Sequence, residues 1–217
     1  GHAVTPFESC GRAERTGTRI RFRPDPAIFP SIHFDLDAIG QRLREVAHLN
    51  PALTIHFGKH VYRERRGLVA WARRLLDDDT GEPSEIVRAQ SATRQGVTID
   101  VAFGWKRDGR PGVLHAFANQ SRSSTDSAQV LGFWDGVRQA LGESARGARR
   151  RVLIERLWPG LAAIVNVSLT DPHFANPLGT RLENPEIRTL TRTVVAEACY
   201  GDFASRALDP GAVDEKR

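Results

Sequence analysis

Val97-Thr98-Ile99-Asp100-Val101-Ala102-Phe103-Gly104-Trp105 alternates large apolar residues with small or polar ones along its whole length. A period of two puts Val97, Ile99, Val101, Phe103 and Trp105 on one face and Thr98, Asp100, Ala102 and Gly104 on the other, the pattern of a strand packed against a core. Asp108-Gly109 and Pro111-Gly112 follow as turn signals, so Val113 to Asn119 is expected to return as the partner strand of a hairpin. Ser121 to Asp126 reads as a polar loop before a long helix, whose Val130, Trp134, Val137 and Leu141 share one face and which stops at Gly142. Arg146 to Arg151 reads as a basic linker, and Leu161 to Leu169, apolar on both faces, as a central strand. Asn184-Pro185 supplies an N-cap and a first-turn proline for a last helix with Ile187, Leu190, Val194 and Ala198 inward.

Upstream, Thr18 to Arg23 reads as a strand closed by Pro24-Asp25-Pro26. Asp35 caps a helix with Leu36, Ile39, Leu43, Val46 and Ala47 on its buried face, and Asn50-Pro51 ends it. Leu53 to Phe57 alternates as a half-buried strand, and a short helix from Gly67 turns Leu68, Trp71, Ala72 and Leu75 inward. Asp77 to Pro83 is an acidic loop. Strands alternating with helices predict one α/β domain, an α+β sandwich in which helices cover a mixed sheet. It is expected over residues 16–200, after a lead-in at 1–15 and before a polar tail at 201–217.

Composition bounds the rest. Apolar residues make up 40% of the 217, enough for a sizeable core. No apolar run reaches the roughly 20 residues of a membrane helix, and the opening residues lead us to expect no secretory signal. Cys10 and Cys199 stand far apart without a Cys or His neighbour at ligand spacing, so two free thiols in a reducing cytoplasm and no metal site are expected. Methionine is absent even at position 1, so a processed product or a piece of something longer is expected. The net charge of +5 comes almost wholly from arginine, whose planar fork pairs bidentately with phosphate, although an arginine-rich solvated surface has the same composition. Arg63, Arg65, Arg66, Arg73 and Arg74 form the best candidate cluster for DNA contact, with Arg149, Arg150 and Arg151 second.

Several segments, in order, resemble the second domain of the gyrase B and topoisomerase IV B proteins. Gly17-Thr18-Arg19-Ile20-Arg21-Phe22-Arg23-Pro24-Asp25 with Ile28-Phe29 is similar to that family's G-T-x-V-x-F-x-P-D-x-x-I-F. Leu43 to Asn50 resembles L-R-E-x-A-F-L-N, with His48 at the phenylalanine. Phe117-Ala118-Asn119, Gly132-Phe133, Gly160-Leu161 and Asp171-Pro172-His173-Phe174 match further family blocks, and Leu182-Glu183-Asn184-Pro185-Glu186-Ile187-Arg188 is similar to L-G-N-P-E-V-R. The resemblance implies a gyrase B second-domain fold with a βαβ crossover. It also implies the role of a transducer, a domain that follows a GHKL-type ATP-binding domain and helps clamp DNA in a basic cavity. In the family a Q-T-K loop sends its lysine to the terminal phosphate of the nucleotide. ATP and Mg are thus implied for the complete family enzyme, and duplex DNA and other topoisomerase subunits as partners.

The sequence departs from the family where function is concentrated. Pro177-Leu178-Gly179 aligns with Q-T-K, so Gly179 occupies the lysine position and Arg181 is the nearest cation. Thr125 to Val130 replaces E-G-G-T-H-E. No E-x-x-x-N or D-x-G-x-G nucleotide motif is present, so the chain alone is expected not to hydrolyse ATP and needs no cofactor of its own. Arg181 with Ser123, Ser124 and Thr125 is a candidate nucleotide or anion contact, at a helix N-terminus. Two uses follow: DNA topology or its modulation, including self-resistance of a gyrase, or a repurposed small-molecule enzyme or binder. The second predicts a pocket that brings together Gln129, His173 and Trp158.

Overall fold

The first helix, α1 (Leu36–Leu49), begins where Asp35 can cap it: the Asp35 carboxylate accepts from the Asp37 and Ala38 amides at 3.0 Å each. Those amides have no partner inside the first turn, so the cap fixes the boundary. The computed structural model describes residues 16–76, 86–93, 96–106, 110–141 and 150–199, with 5, 6, 8, 9, 11, 12 and 14 near the N-terminus. The acidic loop, Cys10, Arg149 and the tail at 201–217 lie outside the described residues, as do the side chains of Arg150 and Arg151.

The chain divides into two compact units, residues 1–39 and 40–217. In the first, the strand expected at Thr18–Arg23 does not form. Ile20 and Phe22 are 80% and 71% exposed, with Phe22 edge-on to Phe34 at 5.8 Å. An alternating run becomes a strand only when a ladder takes up its backbone groups, and no described strand pairs with this one. The expected buried face of α1 also shifts: Leu36 is 62% exposed, and Gly40, Glu45, Ala47, His48 and Leu49 are the buried positions.

In the second unit, β1 (Ile55–Phe57) and β2 (His60–Tyr62) form a two-stranded antiparallel sheet, and α2 (Gly67–Leu76) follows. The main sheet is built from β3 (Val87–Ala92), β4 (Thr98–Trp105), β5 (Val113–Ala118), β6 (Ser121–Arg122) and, after α3 (Ala128–Leu141) and α4 (Arg150–Leu157), β7 (Leu161–Ser168). The last helix is α5 (Pro185–Cys199). Strand order is β3-β4-β7-β5-β6. The expected β4–β5 hairpin is therefore corrected: β7 lies between them, antiparallel to β4 and parallel to β5. β7 is buried along nearly all of its length, and only a central place in the sheet covers both faces of such a strand. β5 and β7, joined through α3 and α4, make the βαβ crossover. Four further elements go beyond the sequence pattern: β2, after the expected strand at Leu53–Phe57; β3, before the alternating run; β6, whose Ser121 and Arg122 stand in the stretch expected as a polar loop; and α4, which begins at the last two residues of the expected basic linker, residues 146–149 lying outside the described ones.

The two faces of the sheet carry separate cores. Ile99, Val101, Phe103, Ala163 and Val165 pack with Phe133, Val137, Ile187 and Val195 of α3 and α5. Ala102, Phe117 and Ile164 on the opposite face pack with Leu68, Trp71 and Ala72 of α2. Helices on both faces of a mixed sheet give the α/β class that the sequence implied.

Candidate nucleic-acid interface

The amphipathic pattern of α2 separates its two sides. Leu68, Trp71, Ala72 and Leu76 go to the core, which leaves the i, i+3/i+4, i+7/i+8 positions from Arg66 facing outward. Arg66, Val69, Ala70, Arg73 and Arg74 line one open depression of about 680 Å³. Arg63 and Arg65 are exposed on the turn that leads into it. No described acid lies within ion-pair distance of any of the five. The structure thus brings Arg66, Arg73 and Arg74 of the first arginine cluster together in one depression and leaves Arg63 and Arg65 exposed on the chain leading into α2. Of the second, Arg150 and Arg151 open α4.

Behind the groove lies a network that the sequence did not single out. Arg74 Nη2 is 3.1 Å from Nε2 of His48, a buried residue of α1. The His48 ring stacks on Trp71 at 5.4 Å, and His115 of β5 stacks on Trp71 at 5.2 Å. Burial lowers the pKa of both histidines below the ordinary range. Beside them, the Glu45 carboxylate, on a residue only 7% exposed, is bridged by Arg42 at 2.9 Å and by Arg122. Both guanidiniums lie over the Phe117 ring, 5.9 and 5.6 Å from its centroid. Burial alone would raise the Glu45 pKa, but hydrogen bonds and charges from Arg122 and Arg42 outweigh it and hold the carboxyl below its usual value. Arg42 and Asn50 also bond Gln120, which with Asn119 has positive φ (69° and 46°) in the two-residue turn between β5 and β6. A glutamate on the buried side of an amphipathic helix, and a histidine where the similar family has phenylalanine, were the available signals.

The two loops that depart from the family pattern pack on each other. Ser124 N donates to the Thr180 carbonyl at 2.6 Å, and Ala128 N to the Leu182 carbonyl at 2.8 Å. Two of the four candidate anion residues, Ser124 and Arg181, find side-chain partners within this pair of loops. Ser124 Oγ donates to Asp126 at 2.5 Å, and Arg181 reaches Asp126 and Glu183 at 3.3 Å each. Thr125 is exposed, and Ser123 Oγ is buried without a hydrogen-bond partner. Gly179 sits at φ +64° with the Phe174 ring 3.8 Å from where a Cβ would stand, and Leu178 beside it is 85% exposed.

The pocket of Gln129, His173 and Trp158 does not assemble. Trp158 precedes β7 and packs by Trp134 at 6.4 Å, whereas His173 follows β7 on the surface with Asp171 at 3.3 Å. An eight-residue strand, roughly 25 Å long, stands between them. Gln129 is fully buried, its Nε2 donating to the Phe117 carbonyl at 3.4 Å. Asn184 has the N-cap place of α5, but its side chain serves the preceding loop, accepting from His173 N at 2.7 Å and donating to the Asp171 carbonyl at 3.2 Å. Burial raises the Cys199 thiol to about 12.

Comparison with known proteins agrees with this architecture. The family model described as DNA gyrase B matches residues 67–205, more than half of the chain. The chain is 26% identical to the B subunit of a type 2 topoisomerase from Aquifex aeolicus, aligned over 100% of this chain and 28% of that protein. It is 30% identical to a chloroplastic/mitochondrial DNA gyrase B protein of Nicotiana benthamiana, over 85% of this chain and 27% of that one. It therefore spans about a quarter to a third of the length of such relatives. Among solved structures, the gyrase B protein of Myxococcus xanthus superposes with TM-score 0.68 at 27% identity, covering 80% of this chain and 52% of that one. The 43K ATPase domain of Thermus thermophilus gyrase B, in complex with an aminocoumarin, superposes with TM-score 0.63 over 88% of this chain and 58% of that one. At 24% identity the latter likeness is one of fold alone.

Proposed function

The chain belongs to the DNA gyrase B family, and on that premise we propose that it is a transducer-type domain of a type IIA topoisomerase, contacting duplex DNA through the α2 groove and not hydrolysing ATP by itself. The observation that carries this reading is the groove. Arg66, Arg73 and Arg74 line it, Arg63 and Arg65 are exposed shortly before α2 in the chain, and no described acid is paired to any of them. Clustered guanidiniums neutralise phosphates and release counterions, and they do so without reading bases. The aromatic residue of α2, Trp71, is buried, so the surface suits a duplex backbone better than stacked single-strand bases.

The loop at 173–183 supports the second half. A cation that stabilises a transferring phosphoryl group is worth several kcal/mol of barrier, and Gly179 supplies none. Arg181 is already engaged by Asp126 and Glu183. In this reading ATP and Mg belong to the complete family enzyme, and the partners are duplex DNA and other gyrase or topoisomerase subunits. The loop changes suit a domain retained for modulating DNA topology, gyrase self-resistance included. The reading places the chain in a reducing cytoplasm, and no described helix is long and apolar enough to cross a membrane.

Two assays on the purified chain test this: duplex DNA binding across a salt series, and gyrase supercoiling with the chain added. The expected results are binding whose log–log salt slope is about −3 to −4, one unit for each phosphate contact, and altered supercoiling. Absence of binding at low salt together with unchanged supercoiling would sink the proposal.

A further inference from the structure

The third arginine of the groove is held by a group that can lose its grip. His48 Nδ1 lies 3.2 Å from the Gly67 carbonyl, and Nε2 lies 3.1 Å from Arg74 Nη2. A carbonyl only accepts, so Nδ1 carries the proton and donates. A guanidinium only donates, so Nε2 is the bare nitrogen that accepts. Both contacts are made by one neutral ring, 2% exposed and stacked on Trp71. Gly67 is the first residue of α2 and Arg74 belongs to its last turn. The ring therefore draws the guanidinium back along the helix, toward the end where Arg66 stands.

We propose that His48 is a positioning residue for DNA contact, holding the Arg74 guanidinium in the α2 groove while its ring is neutral and releasing it when the ring is protonated. This rests on the groove being the DNA-contact surface. Protonation turns Nε2 into a donor, removes the acceptor for Arg74, and sets two cations 3.1 Å apart. The charged groups around the ring are Arg74 of α2, Arg44 of α1 and Glu64 on the turn before α2. His115 lies beyond Trp71, with Arg122 and Glu45 near it. Burial lowers the His48 pKa from the ordinary 6.5; the Gly67 carbonyl opposes this, Arg74 adds to it, and Glu64 and Arg44 pull in opposite directions. The ring is thus neutral at pH 7, and release belongs to the acid side of the ordinary histidine range.

The test is DNA affinity of the full chain from about pH 8 to about pH 5, measured with a short labelled duplex for wild type, His48→Gln, His48→Leu and Arg74→Ala. Glutamine keeps an acceptor near the Nε2 position and does not titrate, and its ratio to wild type cancels the effect of every other histidine. The proposal predicts equal affinities for wild type and His48→Gln at the alkaline end. Wild type becomes roughly three- to tenfold weaker than His48→Gln at the acid end, with a salt slope smaller by about one. His48→Leu and Arg74→Ala are weaker at the alkaline end by the same factor. A wild-type to His48→Gln ratio that does not change with pH overturns the proposal, as does His48→Leu binding with wild-type affinity and slope. NMR titration of the His48 ring without DNA reads the contact directly: Arg74→Ala raises its pKa, and an unchanged titration refutes the contact whatever DNA does. If Arg66→Ala, Arg73→Ala and Arg74→Ala all leave DNA affinity unchanged while the NMR coupling stands, the groove reading itself has failed and the DNA role of His48 falls with it.

Discussion

Ser127 Oγ donates to the Thr180 carbonyl at 3.2 Å and accepts from the Leu182 amide at 3.3 Å, so one hydroxyl joins the start of α3 to the loop carrying Gly179. Ser127 immediately precedes α3 and is completely buried. A serine in that place ordinarily caps its own helix, but this one is diverted to the neighbouring loop. Ser127→Ala leaves the Leu182 amide without its acceptor and is expected to cost about 1–3 kcal/mol. Urea unfolding measures this, and a loss below about half a kcal/mol would mean that the loops do not depend on the contact.

The α3–α5 packing depends on two glycines. A Cβ at Gly132 would stand 2.5 Å from the Arg188 carbonyl oxygen and 2.8 Å from Thr191 Cβ. One at Gly136 would stand 2.7 Å from the Arg192 carbonyl oxygen. Backbone cannot step aside as a flexible side chain can, so the helices must separate, and the Arg188–Asp135 ion pair at 2.6 Å spans the same interface. Despite the higher helix propensity of alanine, Gly132→Ala is expected to destabilise by about 1–3 kcal/mol. A rise in the melting temperature of that variant would contradict the close approach.

At Gly179 the restriction is backbone conformation rather than space. With φ at +64°, an L side chain costs roughly 1–2 kcal/mol, and less for asparagine. The expected order of stability is Gly, then Asn, then Ala and Lys together, measured by thermal unfolding. Gly179→Lys is therefore a destabilised variant. A lysine variant as stable as wild type would show that the loop readily takes another backbone path.

Acid sensitivity has two sources with the same sign. Glu45 has a lowered folded pKa, so its contribution is present above the unfolded value and is lost as pH falls through the folded one. His48 and His115 also have lowered folded pKa values, so the unfolded chain takes up their protons first and stability declines from about pH 6.5 downward. Stability is expected to fall in two stages, the first in the histidine range and the second in the carboxylate range. Glu45→Gln should flatten the second stage and cost about 1–3 kcal/mol at neutral pH, modest for a buried pair because Arg122 is half exposed. A pH–stability curve for Glu45→Gln parallel to wild type between about pH 5 and pH 3 would refute the assignment.

What was legible in the sequence was local. The start of α1 follows from Asp35, the inner face of α2 from its apolar spacing, and the central place of β7 from burial on both sides. The arginines of the groove could be read as one face from helical arithmetic alone. The β4–β5 hairpin failed because a turn signal states only that the chain reverses. Which strand becomes the neighbour is decided by a segment more than forty residues later in the chain. β3 escaped because its inward residues are small, Ala89 and Ser91 after Val87, and give a faint alternation. His48 could be placed on a helix, but its bond to Arg74 is made by tertiary packing between α1 and α2.

The most direct test of the central claim is duplex DNA binding across a salt series, comparing the wild-type chain with the triple variant Arg66→Ala/Arg73→Ala/Arg74→Ala. All three side chains line the groove and none belongs to the buried core, so the variant should remain folded. The account predicts salt-dependent wild-type binding, with the variant losing about three units of salt slope and at least roughly tenfold in affinity at low salt. A folded triple variant that binds with the wild-type slope, or a wild-type chain that does not bind duplex at low salt, would contradict it.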